Sequence, residues 1–248
     1  EIYTLSLHAA LPIYTDEINQ LPSAEHWFGT DDLGRDLFPR VFQGGRVSLT
    51  IGIVGAVVAS VVGSIYGGIA TYFGGIVDDI MMRIVEVLLS IPYLLTVILI
   101  SVVTDSKSIG TMMLALVLTG WCGIARLVRG QILSIKTNEY VLAARALGAK
   151  PGRIIRKHIL PNCISVIFIS VALQIPSAIF TESFLSFIGL GVQAPMPSLG
   201  SLANAARGGM QNYPWKMLFP ALSICLIVLS FNLLGDGLRD AFDPKLRR

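Results

Sequence analysis

The stretch VSLTIGIVGAVVASVVGSIYGGIATYFGGIV, Val47 to Val77, contains no Asp, Glu, Lys or Arg. A helix needs about 20 apolar residues to cross a hydrocarbon layer of about 30 Å, and this run is longer than that. Four more charge-free runs follow: Val87–Thr104, Ser108–Ala125, Ile159–Thr181 and Met217–Gly235. A bilayer core offers the backbone no water, so such runs must pair their own N–H and C=O groups as helices. Barrel strands would be near ten residues long and would alternate, which these runs do not. A soluble fold would have to bury all five as core helices. The whole chain agrees with the first reading, at 53% hydrophobic and only 14% charged, against about 25% charged for a soluble domain. The expected fold class is an all-α membrane protein, a polytopic helical bundle with five visible spans.

Details of the runs refine this picture. The first carries Gly52, Gly55, Gly63, Gly67 and Gly68, and Gly63 and Gly67 form a GxxxG, a spacing that lets helices approach closely in lipid. Gly74 and Gly75 turn the chain, and Asp78, Asp79, Arg83 and Glu86 form a short polar edge before the next run. Pro92 falls inside that next span and is expected to kink it. The short connection near Thr104–Ser108 predicts antiparallel neighbours on either side. Glu182 is an acid within a span, which suggests a functional site; its place near the outer end equally allows it to reach water or to cap a neighbour.

Lys and Arg set orientation, since cytoplasmic loops hold the excess. With five spans, thirteen of the nineteen fall on one side: Arg83, the eight from Arg126 to Lys157, and Arg239, Lys245, Arg247 and Arg248. That side is expected to be cytoplasmic. The domain reading is an external loop over 15–46, a transmembrane domain over 47–238 with a cytoplasmic loop at 133–161, and a cytoplasmic tail over 239–248. Residues 189–216, rich in Gly and Pro, read as a long external loop, a kind that is often functional. A long external segment calls for a preceding span or a signal, so an upstream first span is expected. Residues 1–14 resemble a translated sequencing adapter in part, or a fragment end, and are assigned no role.

Several chemistries find no support. There is no GxxxxGK[ST] for cradling phosphate and no GxSxG nucleophile elbow. Cys122, Cys163 and Cys225 lie in or beside spans and read as small apolar residues, and His8, His26 and His158 lack metal-ligand spacing. Nothing points to nucleic acid or to a metal. Catalysis is therefore not expected; transport, conduction or a structural membrane role remain. A secondary transporter would show inverted repeats and midplane charges, and a channel would show a filter motif. Neither stands out, and both stay open.

One stretch suits neither lipid nor a hydrophobic core: EYVLAARALGAKPGRIIRKHILPN, Glu139 to Asn162. Tyr140, Ala143, Ala144 and Leu147 follow i, i+3, i+4, i+7, which places them on one helical face. The two alanines make its centre flat. Gly148 is a natural stop, and Pro151 prevents continuation. A second basic turn, Arg153 to His158, leads to Leu160–Pro161. The stretch could lie on anionic lipid, at about 1 kcal/mol per basic residue, or dock on a cytoplasmic partner.

Glu139, Ala143–Ala144, Gly148 and Leu160–Pro161 resemble the EAA loop of bacterial ABC importer permeases. The loop departs from the general pattern in spacing Glu139 from the alanines and in placing His158–Ile159 before Leu160; that variant is similar to the dipeptide/oligopeptide branch. HWFGTDDLGRDLFPR (26–40), ESFLSFIGLGVQAPMPSLG (182–200) and GDGLRDAFDPKLR (235–247) point the same way. The likeness runs from about residue 20 to the end and fits the second permease of a pair. It implies the type I importer permease fold with six spans, in the bacterial inner (plasma) membrane. It further implies a homologous second permease, two cytoplasmic ATPase subunits that use ATP and Mg, an external substrate-binding protein, and no cofactor held by this chain. The coupling residues would be Glu139, Tyr140, Ala143, Ala144, Leu147, Gly148, Leu160 and Pro161. Trp27, Asp31, Arg35, Asp36, Glu182, Pro195 and Pro197 are candidates for an outer gate or for contact with the binding protein. Peptides are the expected substrate, with nickel and oligosaccharides as alternatives carried by the same machinery.

Overall fold

The structure is a computed structural model that describes residues 17–104, 108–192 and 196–242. Expectations for residues 1–14, for the turn between Thr104 and Ser108, for Pro195 and for the end of the tail lie outside the described residues. The described residues form nine α-helices: α1 Leu37–Phe73, α2 Gly75–Ser90, α3 Tyr93–Thr104, α4 Ile109–Lys136, α5 Glu139–Ala146, α6 Pro151–Ile154, α7 Leu160–Phe187, α8 Leu199–Ala206 and α9 Trp215–Phe242. A π-helical turn, Ile155–Ile159, joins α6 to α7, and a 3-10 turn, Arg207–Gly209, follows α8. Among the described residues there is no strand, only an isolated bridge between Thr30 and Asp36.

Among the described residues, four helices are long and apolar enough to span a membrane: Leu37–Phe73, Ile109–Lys136, Pro161–Phe187 and Trp215–Ala241. The pair α2 and α3 qualifies as a fifth if it counts as one span, though it bends by 86° at its break. Pro92 was expected to kink a continuous helix and instead separates two. Its ring cannot continue the preceding helix, and the residue before a proline is pushed out of the α region; Ile91 accordingly sits at φ −78°, ψ 124°. Two further boundaries differ from the sequence reading. α1 begins at Leu37, inside the segment expected to be an external loop, because Asp36 accepts a hydrogen bond from the Phe38 N–H at 2.8 Å and caps the helix. The last helix continues through Phe242, so the tail expected from residue 239 starts as helix.

The chain clusters into two compact units. Of the described residues, the first takes those within Glu1–Ile53, Ile100–Met112 and Pro176–Ser230, and the second those within Val54–Leu99, Met113–Ile175 and Phe231–Arg248. In the first unit, Val41, Leu199 and Leu202 form a core on which Phe28, Phe219, Ile224 and Ile227 pack, and Phe28 stacks on Phe219 with ring centroids 4.0 Å apart. In the second unit, α1 meets α4 through the expected small residues. A Cβ at Gly63 would fall on the Trp121 carbonyl and the Ile124 side chain, and one at Gly67 on the Ala125 carbonyl. Only glycine permits this approach, which is the function of GxxxG in lipid. Beside it, Val85, Cys122 and Ala125 form a second core, flanked by Tyr66, Met82, Leu88 and Trp121.

Candidate functional site

The loop after α4 folds back within three short elements. α5 starts at N-cap Asn138, whose carbonyl accepts from Val141 and Leu142 at 3.0 and 3.1 Å. Glu139 occupies the first turn and Arg145 the last, each at the end of the helix dipole that favours its charge. One side of α5 is fixed to the protein. Val141 is fully buried in a cluster with Ile135, Ile154, Ile159 and Cys163, so this residue, which the sequence reading did not single out, seats the helix. A different side of the segment faces outward. Tyr140 is 44% exposed and Leu147 88% exposed, Ala143 is exposed and Ala144 is half-buried.

The end of α5 is a Schellman turn. Ala149 N–H donates to the Ala144 carbonyl and Gly148 N–H to the Arg145 carbonyl, both at 3.0 Å, which is the paired pattern of that motif. Gly148 holds φ +78°, in the left-handed region where a Cβ is unfavourable. Pro151 does more than block continuation: it opens α6, where its fixed φ and missing N–H are tolerated. Lys150 caps that helix by accepting from the Arg153 and Ile154 N–H groups. The π turn then leads into α7, which Leu160 opens, and Asn162 Nδ2 donates to the His158 carbonyl at 2.6 Å. Pro161 is exposed in the first turn of α7. The structure thus brings Glu139, Tyr140, Ala143, Ala144, Leu147 and Gly148 onto one short segment, with Arg145, Lys150, Arg153 and Lys157 exposed beside them.

The candidate outer residues are placed differently. Asp31 accepts hydrogen bonds from the Leu33 and Arg35 N–H groups at 2.9 Å and from Arg35 Nε at 2.8 Å, and Arg40 approaches it at 3.5 Å. Asp31 and Arg35 therefore satisfy each other inside the segment. Asp36 caps α1 and meets His26 Nδ1 at 3.3 Å. Trp27 remains exposed, edge-on to Phe38 at 5.1 Å. Lys216, missed in the sequence, is nearly buried; its ammonium donates to Asn19 Oδ1 at 2.7 Å and to Asp32, and it sits 5.0 Å from the Tyr213 ring centroid. Residues 17–36 are thereby folded onto α1 and α9.

Pro197 and Glu182 are buried. Glu182 does not reach water, one of the options left open. Its Oε1 accepts from Ser186 Oγ at 2.7 Å, and Ser186 Oγ in turn accepts from the Val192 N–H at 3.2 Å. Asn204 Nδ2 donates to the Phe187 carbonyl at 2.5 Å. The region expected to be unstructured loop contains α8, whose start is a capping box between Ser198 and Ser201 and whose Leu199 N–H reaches Ser48 Oγ at 3.3 Å. The sequence signal for this helix was present: a Ser three residues before a second Ser, then an apolar run.

A family described as "binding-protein-dependent transport system inner membrane component" matches residues 59–248. The dipeptide transport system permease protein DppC of Bacillus subtilis is 52% identical over 98% of this chain and 76% of its own length. The oligopeptide transport system permease protein OppC of the same organism is 50% identical, covering 92% of this chain and 74% of the relative. A glutathione transport system permease protein, GsiD of Pectobacterium atrosepticum, is 43% identical over 94% of this chain and 77% of its own. Among solved structures, the MetNI methionine ABC transporter in an inward-facing conformation matches with a TM-score of 0.69 at 20% identity, over 84% of this chain and 98% of that one. An amino acid ABC transporter matches at 0.65 and 18%, over 83% and 95%. At these identities the structures show the fold alone, that of ABC importer permeases.

Proposed function

Because the chain belongs to the family of binding-protein-dependent transport inner membrane components, we propose that this multi-pass inner-membrane translocation subunit conducts di- and oligopeptides and receives ATP-driven motion through α5. The observation that carries the coupling reading is the two-sided character of that helix. Val141 is buried beneath it while Tyr140, Ala143 and Leu147 stand exposed. A helix firmly seated on one side with a small, apolar face on the other suits a groove on a partner protein. The lipid-surface alternative accounts for the basic residues but gives no purpose to the alanines.

In this reading α5 and the C-terminus face the cytoplasm, as the distribution of Lys and Arg favours. Two separate ATPase subunits dock there and hydrolyse ATP with Mg; a homologous second permease completes the pathway, and an external binding protein delivers substrate. Peptide is favoured because the three relatives named above are named for dipeptide, oligopeptide and glutathione transport.

The test is uptake by the complex of both permeases, the ATPases and the binding protein in proteoliposomes. Labelled dipeptide should accumulate only with ATP inside the cytoplasmic compartment. Uptake that persists without ATP would overturn the importer reading in favour of a channel or secondary transporter. Accumulation of nickel or an oligosaccharide, with no peptide uptake, would replace the substrate.

A further inference from the structure

α4 reaches α5 through only Thr137 and Asn138, and Val141 packs on Ile135 near its end. Motion of α5 is therefore motion of the end of α4. Of the cations there, Arg129 and Lys136 bond to neighbouring helices. Seven residues apart, they lie on one face two turns from each other. Lys136 Nζ donates to the Thr71 carbonyl at 2.5 Å; Thr71 belongs to the last turn of α1, whose carbonyls lack helical donors. Arg129 crosses to α2. Its Nε and Nη2 each donate to one oxygen of Asp78 at 2.7 Å, and Asp78 is only 7% exposed.

Among the described residues this is the one ion pair that joins two helices of the second unit. The rest of the α2–α4 seam is apolar, with Val85 against Cys122 and Ala125. The order of contacts, Asp78 with Arg129 and Val85 with Cys122, makes the two helices antiparallel. The hydrophobic drive that joins apolar side chains is non-directional, whereas two parallel charge-assisted hydrogen bonds fix distance and angle together. Asp78 is buried while the Arg129 side chain is 32% exposed; such a partly buried pair adds little net stability, so its main contribution here is geometric. Beyond Asp78, α2 leads directly to the 86° break before α3.

We propose that Asp78 and Arg129 are positioning residues that transmit displacement of the docking helix α5, through α4, to α2 and the broken α2–α3 pair. Without the fork, α4 moves and α2 follows only loosely. The inference rests on the coupling role of α5 given above, and its failure can be told apart from the failure of that role.

The experiment uses the full complex in proteoliposomes and measures ATP hydrolysed per labelled dipeptide taken up. Asp78→Asn and Arg129→Gln should retain ATPase subunits at wild-type stoichiometry and retain hydrolysis, while dipeptide uptake per ATP falls about tenfold. Arg129→Lys, which keeps the charge but not the fork, should lie between. The double variant Asp78→Leu/Arg129→Met leaves no charge unpaired and keeps the seam packed. A merely structural pair would be rescued by it; a positioning pair would not, so this variant should assemble and remain uncoupled. Wild-type uptake per ATP in the double variant, or in Asp78→Asn, overturns the inference. A wild-type complex whose uptake ignores ATP overturns the coupling role itself.

Discussion

Gly148 offers a quantitative test, because its surroundings isolate a single physical effect. It closes the Schellman turn at φ +78°, and a Cβ placed on it would meet nothing within 4 Å. Replacement by alanine therefore brings no clash, only the strain of a left-handed backbone, about 1–2 kcal/mol for an L-residue. The turn that carries the chain away from α5 should lose that much relative to unwound alternatives, a factor of about 5–30 in its equilibrium. If the docking surface requires this turn, affinity for the ATPase falls by the same factor. Asparagine, which tolerates the left-handed region, should lose less than alanine, and β-branched valine should lose more. The assay is titration of detergent-solubilised permease with labelled ATPase subunit, alongside ATP-driven uptake. The order Gly, Asn, Ala, Val from strongest to weakest is expected, with membrane levels unchanged. Alanine binding as tightly as glycine, or asparagine no better than alanine, would refute the role assigned to this turn. Gly148→Asp, which places a negative charge beside the docking face, should abolish uptake.

Other expectations follow from residues whose surroundings are equally specific. Ala144→Glu should leave insertion intact and abolish both ATPase co-purification and uptake; normal co-purification would sink the docking face. Gly67→Leu would drive a side chain into the Ala125 backbone, and overpacking of this kind costs about 1–3 kcal/mol or more, read as a lower melting temperature of the purified permease. Lys216→Met should release residues 17–36, detected as faster limited proteolysis, while Asp32→Asn should do less because Asp32 is 62% exposed. Ser186→Ala removes the short hydrogen bond to buried Glu182, leaving it the longer one from Ser183 Oγ at 3.4 Å, and should destabilise by about 1–3 kcal/mol; an unchanged thermal melt would show that the Ser183 hydroxyl alone is sufficient.

Much of the architecture was legible before any coordinates. The charge-free runs located four long helices, since no other backbone arrangement satisfies itself in lipid. Gly63 and Gly67 announced a close helix approach, and the structure identifies α4 as the partner. The face Tyr140, Ala143, Ala144 and Leu147 followed from helical spacing alone. What was missed depended on charge and on caps. Asp36 starts α1 inside a segment that reads as loop because its polar residues precede the apolar run. Pro92 breaks the chain rather than bending it, and whether a proline kinks or breaks depends on what neighbours supply to the freed carbonyls. The segment after α7 looked unstructured because glycine and proline dominate its composition, yet Ser198 and Ser201 were sufficient to cap a helix.

By itself, the sequence determined that this is a membrane bundle and that one polar segment stands apart from it, because lipid solubility and helical spacing are properties of a single stretch of chain. The tertiary structure decided which side of that segment is exposed. Val141 is no more apolar than Leu142 or Leu147, and only the packing of Ile135, Ile154, Ile159 and Cys163 around it assigns it to the interior. It also decided that Asp78 meets Arg129, 51 residues away. No local pattern encodes that pairing, since it arises when two helices pack antiparallel and bring opposite charges together.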